Sequence, residues 1–95
     1  MVSISYVLDL FKVFKMKYDI TVYSSEECQY CVRLKEWLEE NNITYTNKDI
    51  NEEHVLKEFK HFNSSAIPFT LIVADHKVER IIGYQPEKIK AILDI

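Results

Sequence analysis

The chain reads as an α/β domain. A four-stranded mixed sheet in the order β-α-β-α-β-β-α is covered by helices on both faces, giving a three-layer sandwich. Three observations predict this. Short runs of period two alternate along the chain with longer runs of period 3.6. The only two cysteines, Cys28 and Cys31, fall where the first strand gives way to a helix. Two strand-like runs near the end are separated only by Asp75-His76-Lys77, a hairpin turn. A helical crossover between the first two strands makes them parallel, and the hairpin adds antiparallel strands.

Taken in order, residues 1–15 stand apart as an N-terminal extension, and residues 16–95 form the domain. In the extension Tyr6, Leu10, Val13 and Phe14 recur at helical spacing, which predicts a short amphipathic helix. The other reading makes Met16 the functional start and the preceding stretch an accidental addition. Tyr18 to Tyr23 alternates and is rich in Ile, Thr, Val and Tyr, the pattern of a strand. A polar loop, Ser24 to Glu27, leads to Cys28. From Gln29 to Asn42 the period is helical, with Tyr30, Leu34, Trp37 and Leu38 on one face and Arg33, Glu36, Glu39 and Glu40 on the other. Asn41-Asn42 is the stop signal.

Ile43 to Asn47 predicts the second strand. Asn51 is the expected cap of a second helix, with Glu52 and Glu53 in its first turn and Val55, Phe59 and Phe62 on its apolar face. Phe69 to Ala74 is apolar enough to be an internal strand, and Val78 to Ile82 returns beside it. Gly83, the only glycine, precedes Tyr84. Pro86 suits the first turn of a last helix that buries Ile89, Ile92 and Leu93.

Composition removes several function classes. With 47% hydrophobic and 28% charged residues in 95, the chain is an ordinary globular domain with one core. Its net charge of −3, without a basic block, argues against nucleic acid as a partner. Two cysteines do not make the framework of a secreted disulfide scaffold, and a redox pair fits a reducing cytosol. Asp9, Lys12 and Lys15 interrupt the apolar start, which argues against a signal peptide, and no run reaches membrane-spanning length. The expectation is a cytoplasmic protein that does not act at a membrane, and nothing demands more than a monomer.

Cys28-Gln29-Tyr30-Cys31 carries the chemistry. At a helix start, unpaired N–H groups and the helix dipole favour a thiolate on the first sulfur, and the second is close enough to close a disulfide ring. The same spacing also serves as half of a zinc site, or as two core thiols. A tetrahedral metal site usually needs four ligands. No second cysteine pair exists, and His54, His61 and His76 form no close pair, so no metal site is assigned. The histidines, with Asp49 and Asp75, read as surface or loop residues without a role.

Three segments resemble the glutaredoxin family in the right order, from about Tyr18 to the C-terminus. The first is Thr21-Val22-Tyr23-Ser24 followed by Cys28-Gln29-Tyr30-Cys31-Val32-Arg33-Leu34-Lys35. The second is Ala66-Ile67-Pro68, and the third is Gly83-Tyr84-Gln85-Pro86-Glu87-Lys88-Ile89. The resemblance implies a thioredoxin-like fold and thiol–disulfide oxidoreductase activity. It makes Cys28 the exposed attacking thiolate and Cys31 the resolving thiol. It also implies a cis bond before Pro68, exposing the Ile67 backbone to an extended peptide or to glutathione. Residue type alone also allows a trans proline starting a strand, but beside Cys28 to Cys31 the cis bond is the expectation. Tyr30 would shield the pair and face a partner, although periodicity alone makes it a buried-face residue. Tyr30, Ile67, Pro68, Gly83 and Tyr84 are thus the candidate substrate- or glutathione-binding residues.

The chain departs from the family in three places, one of them Gln29, which replaces the usual proline between the cysteines and should alter the stability of the thiolate and hence the redox poise. Glutathione-using members usually carry a basic residue three positions before the first cysteine, where this chain has Ser25 beside Glu26 and Glu27. Those carboxylates should repel glutathione and work against the thiolate. A Gly-Gly-x-Asp type loop is also missing. Gly83-Tyr84-Gln85-Pro86 is more similar to the glutaredoxin-like redoxins that serve ribonucleotide reductase and take electrons from thioredoxin reductase and NADPH. No bound cofactor is expected, only glutathione or that reductase as electron source. Two other classes remain open: an iron–sulfur or metal carrier bridging a dimer through Cys28 and glutathione, and a non-catalytic binding module.

Overall fold

The computed structural model describes residues 18–75 and 77–95; the expected helix over 2–15 and His76 lie outside them. The strands are β1 (Asp19–Ser24), β2 (Thr46–Asp49), β3 (Phe69–Val73) and β4 (Val78–Ile82). The helices are α1 (Gln29–Glu40), α2 (Glu53–Lys60) and α3 (Pro86–Leu93). The element order is the expected β-α-β-α-β-β-α. The sheet runs β2-β1-β3-β4, with β1 and β2 parallel and both β1–β3 and β3–β4 antiparallel.

Alternation along the strands divides the interior in two. Ile20, Val22, Ile72 and Ile81 face one side and pack with Leu34 and Leu38 of α1 and Ile89 of α3. Tyr23 and Phe69 face the other side and pack with Val55 and Phe59 of α2. Helices therefore cover both faces, as the pattern required. Truncating Leu34 or Leu38, each fully buried, would cost about 2–5 kcal/mol through lost burial and the cavity left behind.

Four local expectations need correction. The second strand is Thr46–Asp49 rather than 43–47. The Ile43 N–H is bonded to Leu38 O at 2.9 Å, in the turn that closes α1, and the parallel register with β1 begins at Thr46. The α1 stripe that enters the core is Cys31, Leu34 and Leu38. Cys31 takes the place expected for Tyr30, which is 58% exposed. Asn51 does not cap α2: the cap is Glu52, without a side-chain bond to the helix. Asp49, read as a loop residue, ends β2 and accepts the Asn51 N–H at 2.9 Å.

Other local signals act where expected. Asn41 donates its side-chain amide to Trp37 O at 2.8 Å, and Asn42 takes φ 57° as the chain leaves α1. Pro86 occupies the start of α3. No described helix is long and apolar enough to cross a membrane.

Candidate functional site

One register row of the sheet sets the site. Tyr23 pairs with Phe69, and Phe69 with Ile82. Because β3 runs against its neighbours, this row holds the late residues of β1 and β4 and the first residue of β3. The loop to Cys28, the Ile67-Pro68 segment and Gly83-Tyr84 therefore leave the sheet at the same end. The Gly83 N–H donates to Pro68 O at 2.8 Å, tying the second loop to the third. Gly83 has φ 87°, a conformation that side-chain-bearing residues rarely adopt.

Cys28 is the N-cap of α1, in an extended conformation (φ −92°, ψ 111°). Its sulfur accepts the Cys31 N–H at 3.1 Å, as a capping oxygen would. On its other side Cys28 Sγ lies 4.0 Å from Ile67 O. The Ile67–Pro68 peptide bond is cis, as the resemblance implies. Both thiols are free; Cys28 is half-buried and Cys31 fully buried. Burial, followed by the hydrogen bond with Cys28, pushes the Cys31 thiol up to about 12, outweighing the backbone bond from Ser25 and the charge of Lys35. One sulfur is thus reachable and the other is held neutral behind it.

The candidate residues converge. Cys28 meets Cys31 and Ile67 directly, Pro68 follows Ile67 in the chain, and Gly83 is tied to Pro68. Tyr30 and Tyr84 are exposed, at 58% and 37%. An apolar cleft lined by Tyr18, Ile20, Ile43 and Leu93 lies at the opposite end of β1. Among the described residues, no three His, Cys, Asp or Glu side chains are placed to hold a metal ion.

A second polar network adjoins Cys28. The Ser25 hydroxyl donates to Glu27 Oε1 at 2.6 Å, and the Asn51 amide donates to Ser25 Oγ at 3.2 Å and Glu27 Oε1 at 3.4 Å. These bonds, Ser25 first, hold the Glu27 carboxyl below its usual range. The sequence showed Ser25 and Glu27 but gave no sign that Asn51 would cross to them. Beneath the α2 face, Tyr23 donates its hydroxyl to Glu58, which pairs with Lys48 at 2.7 Å. Burial, then that bond, raises the Tyr23 pKa, while Lys48 and then Tyr23 lower that of Glu58.

A four-stranded sheet with a reduced cysteine pair at the N-terminus of α1, opposite a cis-proline, defines a thioredoxin-like dithiol protein. The glutaredoxin family model matches residues 20–76. The chain belongs to the glutaredoxin family, one of thiol–disulfide oxidoreductases. It is 32% identical over 75 residues to the gene 56 protein of Mycobacterium phage D29, covering 79% of this chain and 82% of that one. A 31-residue stretch is 52% identical to the global transcriptional regulator Spx 1 of Bacillus cereus, but spans 24% of the regulator. Among solved structures, a mutant of the thioredoxin-like protein BC3987 matches with TM-score 0.65 and 30% identity, over 81% of this chain and 96% of that one. The reduced thioredoxin pre-protein of Schistosoma mansoni has TM-score 0.68 at 14% identity, over 93% and 87% of the two chains, a likeness of fold alone.

Proposed function

We propose that this protein reduces disulfides of other proteins, or their mixed disulfides with glutathione, through the Cys28–Cys31 pair. The observation that supports it most is the asymmetry of the two sulfurs. Cys28 is within reach of a partner and beside the Ile67 carbonyl, whereas Cys31 is sealed and neutral.

The Cys28 thiolate attacks one sulfur of the substrate disulfide, forming a Cys28–substrate bond as the substrate's S–S bond breaks. The leaving sulfur departs as a thiolate and takes a proton. The Cys31 N–H, aimed at the Cys28 sulfur, meets the negative charge that sulfur carries before it attacks. Cys31 then loses its proton and attacks Cys28, closing the protein disulfide and releasing the second substrate thiol. Two electrons pass from the pair to the substrate. Tyr30, Ile67, Pro68, Gly83 and Tyr84 border the path by which an extended partner reaches Cys28.

The donor that returns those electrons divides the reading. Ser25 and an ionised Glu27, where a cation would bind glutathione, favour thioredoxin reductase and NADPH as the source and ribonucleotide reductase as a substrate. Oxidised protein should then be reduced quickly by the reductase and slowly by glutathione; the reverse order would make it an ordinary glutathione-coupled member. Cys28→Ser should abolish disulfide reduction and Cys31→Ser should accumulate mixed disulfides. Turnover that survives Cys28→Ser would refute the assignment.

A further inference from the structure

We infer that Glu27 selects substrates by charge, and that the disulfides this protein reduces carry Lys or Arg beside the reacting cysteine. The inference rests on Cys28 as the attacking thiol. Glu27 immediately precedes Cys28, and its carboxylate is fixed rather than free. Ser25 Oγ donates to it at 2.6 Å, Asn51 Nδ2 approaches at 3.4 Å, and the Glu27 N–H returns to Ser25 Oγ at 3.4 Å. Ser25 is buried while Glu27 is exposed, so the anion is anchored in the protein and presented to solvent.

The sign of the surroundings agrees. The two loops joined by this network, residues 24–28 and 49–53, contain Glu26, Glu27, Asp49, Glu52 and Glu53 and no Lys or Arg. Arg33 and Lys35 lie farther along α1, with Arg33 5.8 Å over the Tyr30 ring. Exposed Tyr84 offers a flat face on which a lysine stem or guanidinium can rest.

An exposed ion pair ordinarily contributes little, because both long side chains must be ordered to form it. Ser25 and Asn51 have already ordered this one, which lowers that cost for an incoming cation. Ser25 and Asn51 are positioning residues; Glu27 makes the contact.

The test is a single turnover. Reduced protein has both thiols free, so no outside reductant is needed. The peptide disulfide gains two electrons and two protons to become two thiols, and the protein pair becomes the disulfide. Three disulfide peptides are compared, identical except for Lys, Gln or Glu beside the cysteine. At low salt the Lys peptide should react about tenfold faster than the Glu peptide, and high salt should erase the difference. Glu27→Gln should reduce that ratio to about threefold, and Asn51→Ala should give an intermediate value. A merely structural role for Asn51 would leave the salt-dependent ratio unchanged.

Equal rates for the three peptides, or a ratio unaltered by Glu27→Gln, overturns charge selection and leaves the disulfide-exchange reading standing. If wild type consumed no peptide, or Cys28→Ser consumed them equally well, both would fall together.

Discussion

Replacing Cys28 by Ser isolates the thiol to which we assign the resolving step, and the structure sets how inert it should be. Serine is itself a strong N-cap, so its hydroxyl can accept the Cys31 N–H and α1 should keep its start. Burial is the largest cause of the raised Cys31 pKa, and it survives the substitution. The hydrogen bond with Cys28 and the charge of Cys28, which also raise it, go with that sulfur, so the variant keeps the direction of the shift but not its full size. Each tenfold loss of thiolate is offset only about threefold by the greater nucleophilicity of a more basic sulfur. Alkylation of Cys31 by iodoacetamide should therefore run at least several-fold slower than that of an unhindered cysteine, before any loss of access is counted.

The assay follows alkylation of reduced Cys28→Ser by mass spectrometry from pH 7 to 10, with the same variant in urea as the unhindered reference. The sign of the linked stability effect follows from the same shift. The folded pKa lies above the unfolded one, so the protonated thiol contributes stability fully below about pH 8.5. That contribution is lost as pH rises toward about 12. Alkylation as fast in the folded protein as in urea, with a midpoint near that of a free thiol, would refute the sealed resolving cysteine.

Two further predictions concern the scaffold around the site. Glu58→Gln removes the Lys48 pair and weakens the bond from Tyr23. Because the Glu58 side chain is 39% exposed, screening limits the loss to about 1 kcal/mol at pH 7. The folded pKa of Glu58 is lowered from 4.5, so its contribution is present above that value and fades as pH falls below it. Urea unfolding at pH 7 and pH 3 should show the gap between wild type and variant shrinking, and an equal gap at both would assign the effect to packing. Thr70, fully buried between Val22 of β1 and Ile81 of β4, has no hydrogen-bond partner for its hydroxyl among the described residues. Thr70→Val should stabilise the fold by about 1 kcal/mol, raising Tm by roughly 5 °C in a domain of this size. A lower Tm would show that the hydroxyl is satisfied in the folded protein.

Much of this was legible from residue pattern because the fold's main signals are local. Period two in Ile20 to Tyr23, period 3.6 in α1 and the hairpin at Asp75 each need only a short window. The cysteine spacing marked the site, and Pro68 and Gly83 fell into it by family resemblance. Signals that depend on distant partners were less visible. Ile43 and Tyr45 are apolar and alternate, yet they pack against the core ahead of the strand, because register with β1 decides where β2 begins. Tyr30 fits the α1 stripe by spacing, but Cys31, a small apolar side chain when protonated, occupies the buried position.

Asn51 is the most instructive of these failures. An Asn followed by two glutamates and an apolar helix is a strong N-cap signal, and an Asn cap typically contributes about 1 kcal/mol. Here the side chain leaves that role, and Glu52 begins α2 without a side-chain bond. The amide crosses instead to Ser25 and Glu27. A local rule broken in favour of a contact beside Cys28 is the pattern expected where function competes with helix stability. If stabilising α2 were the use of Asn51, capping would have served it better. The contact it makes instead steadies the loop that ends at Cys28 and fixes the only carboxylate adjacent to Cys28 in sequence, so the departure from the capping rule favours a recognition role for this network over a purely structural one.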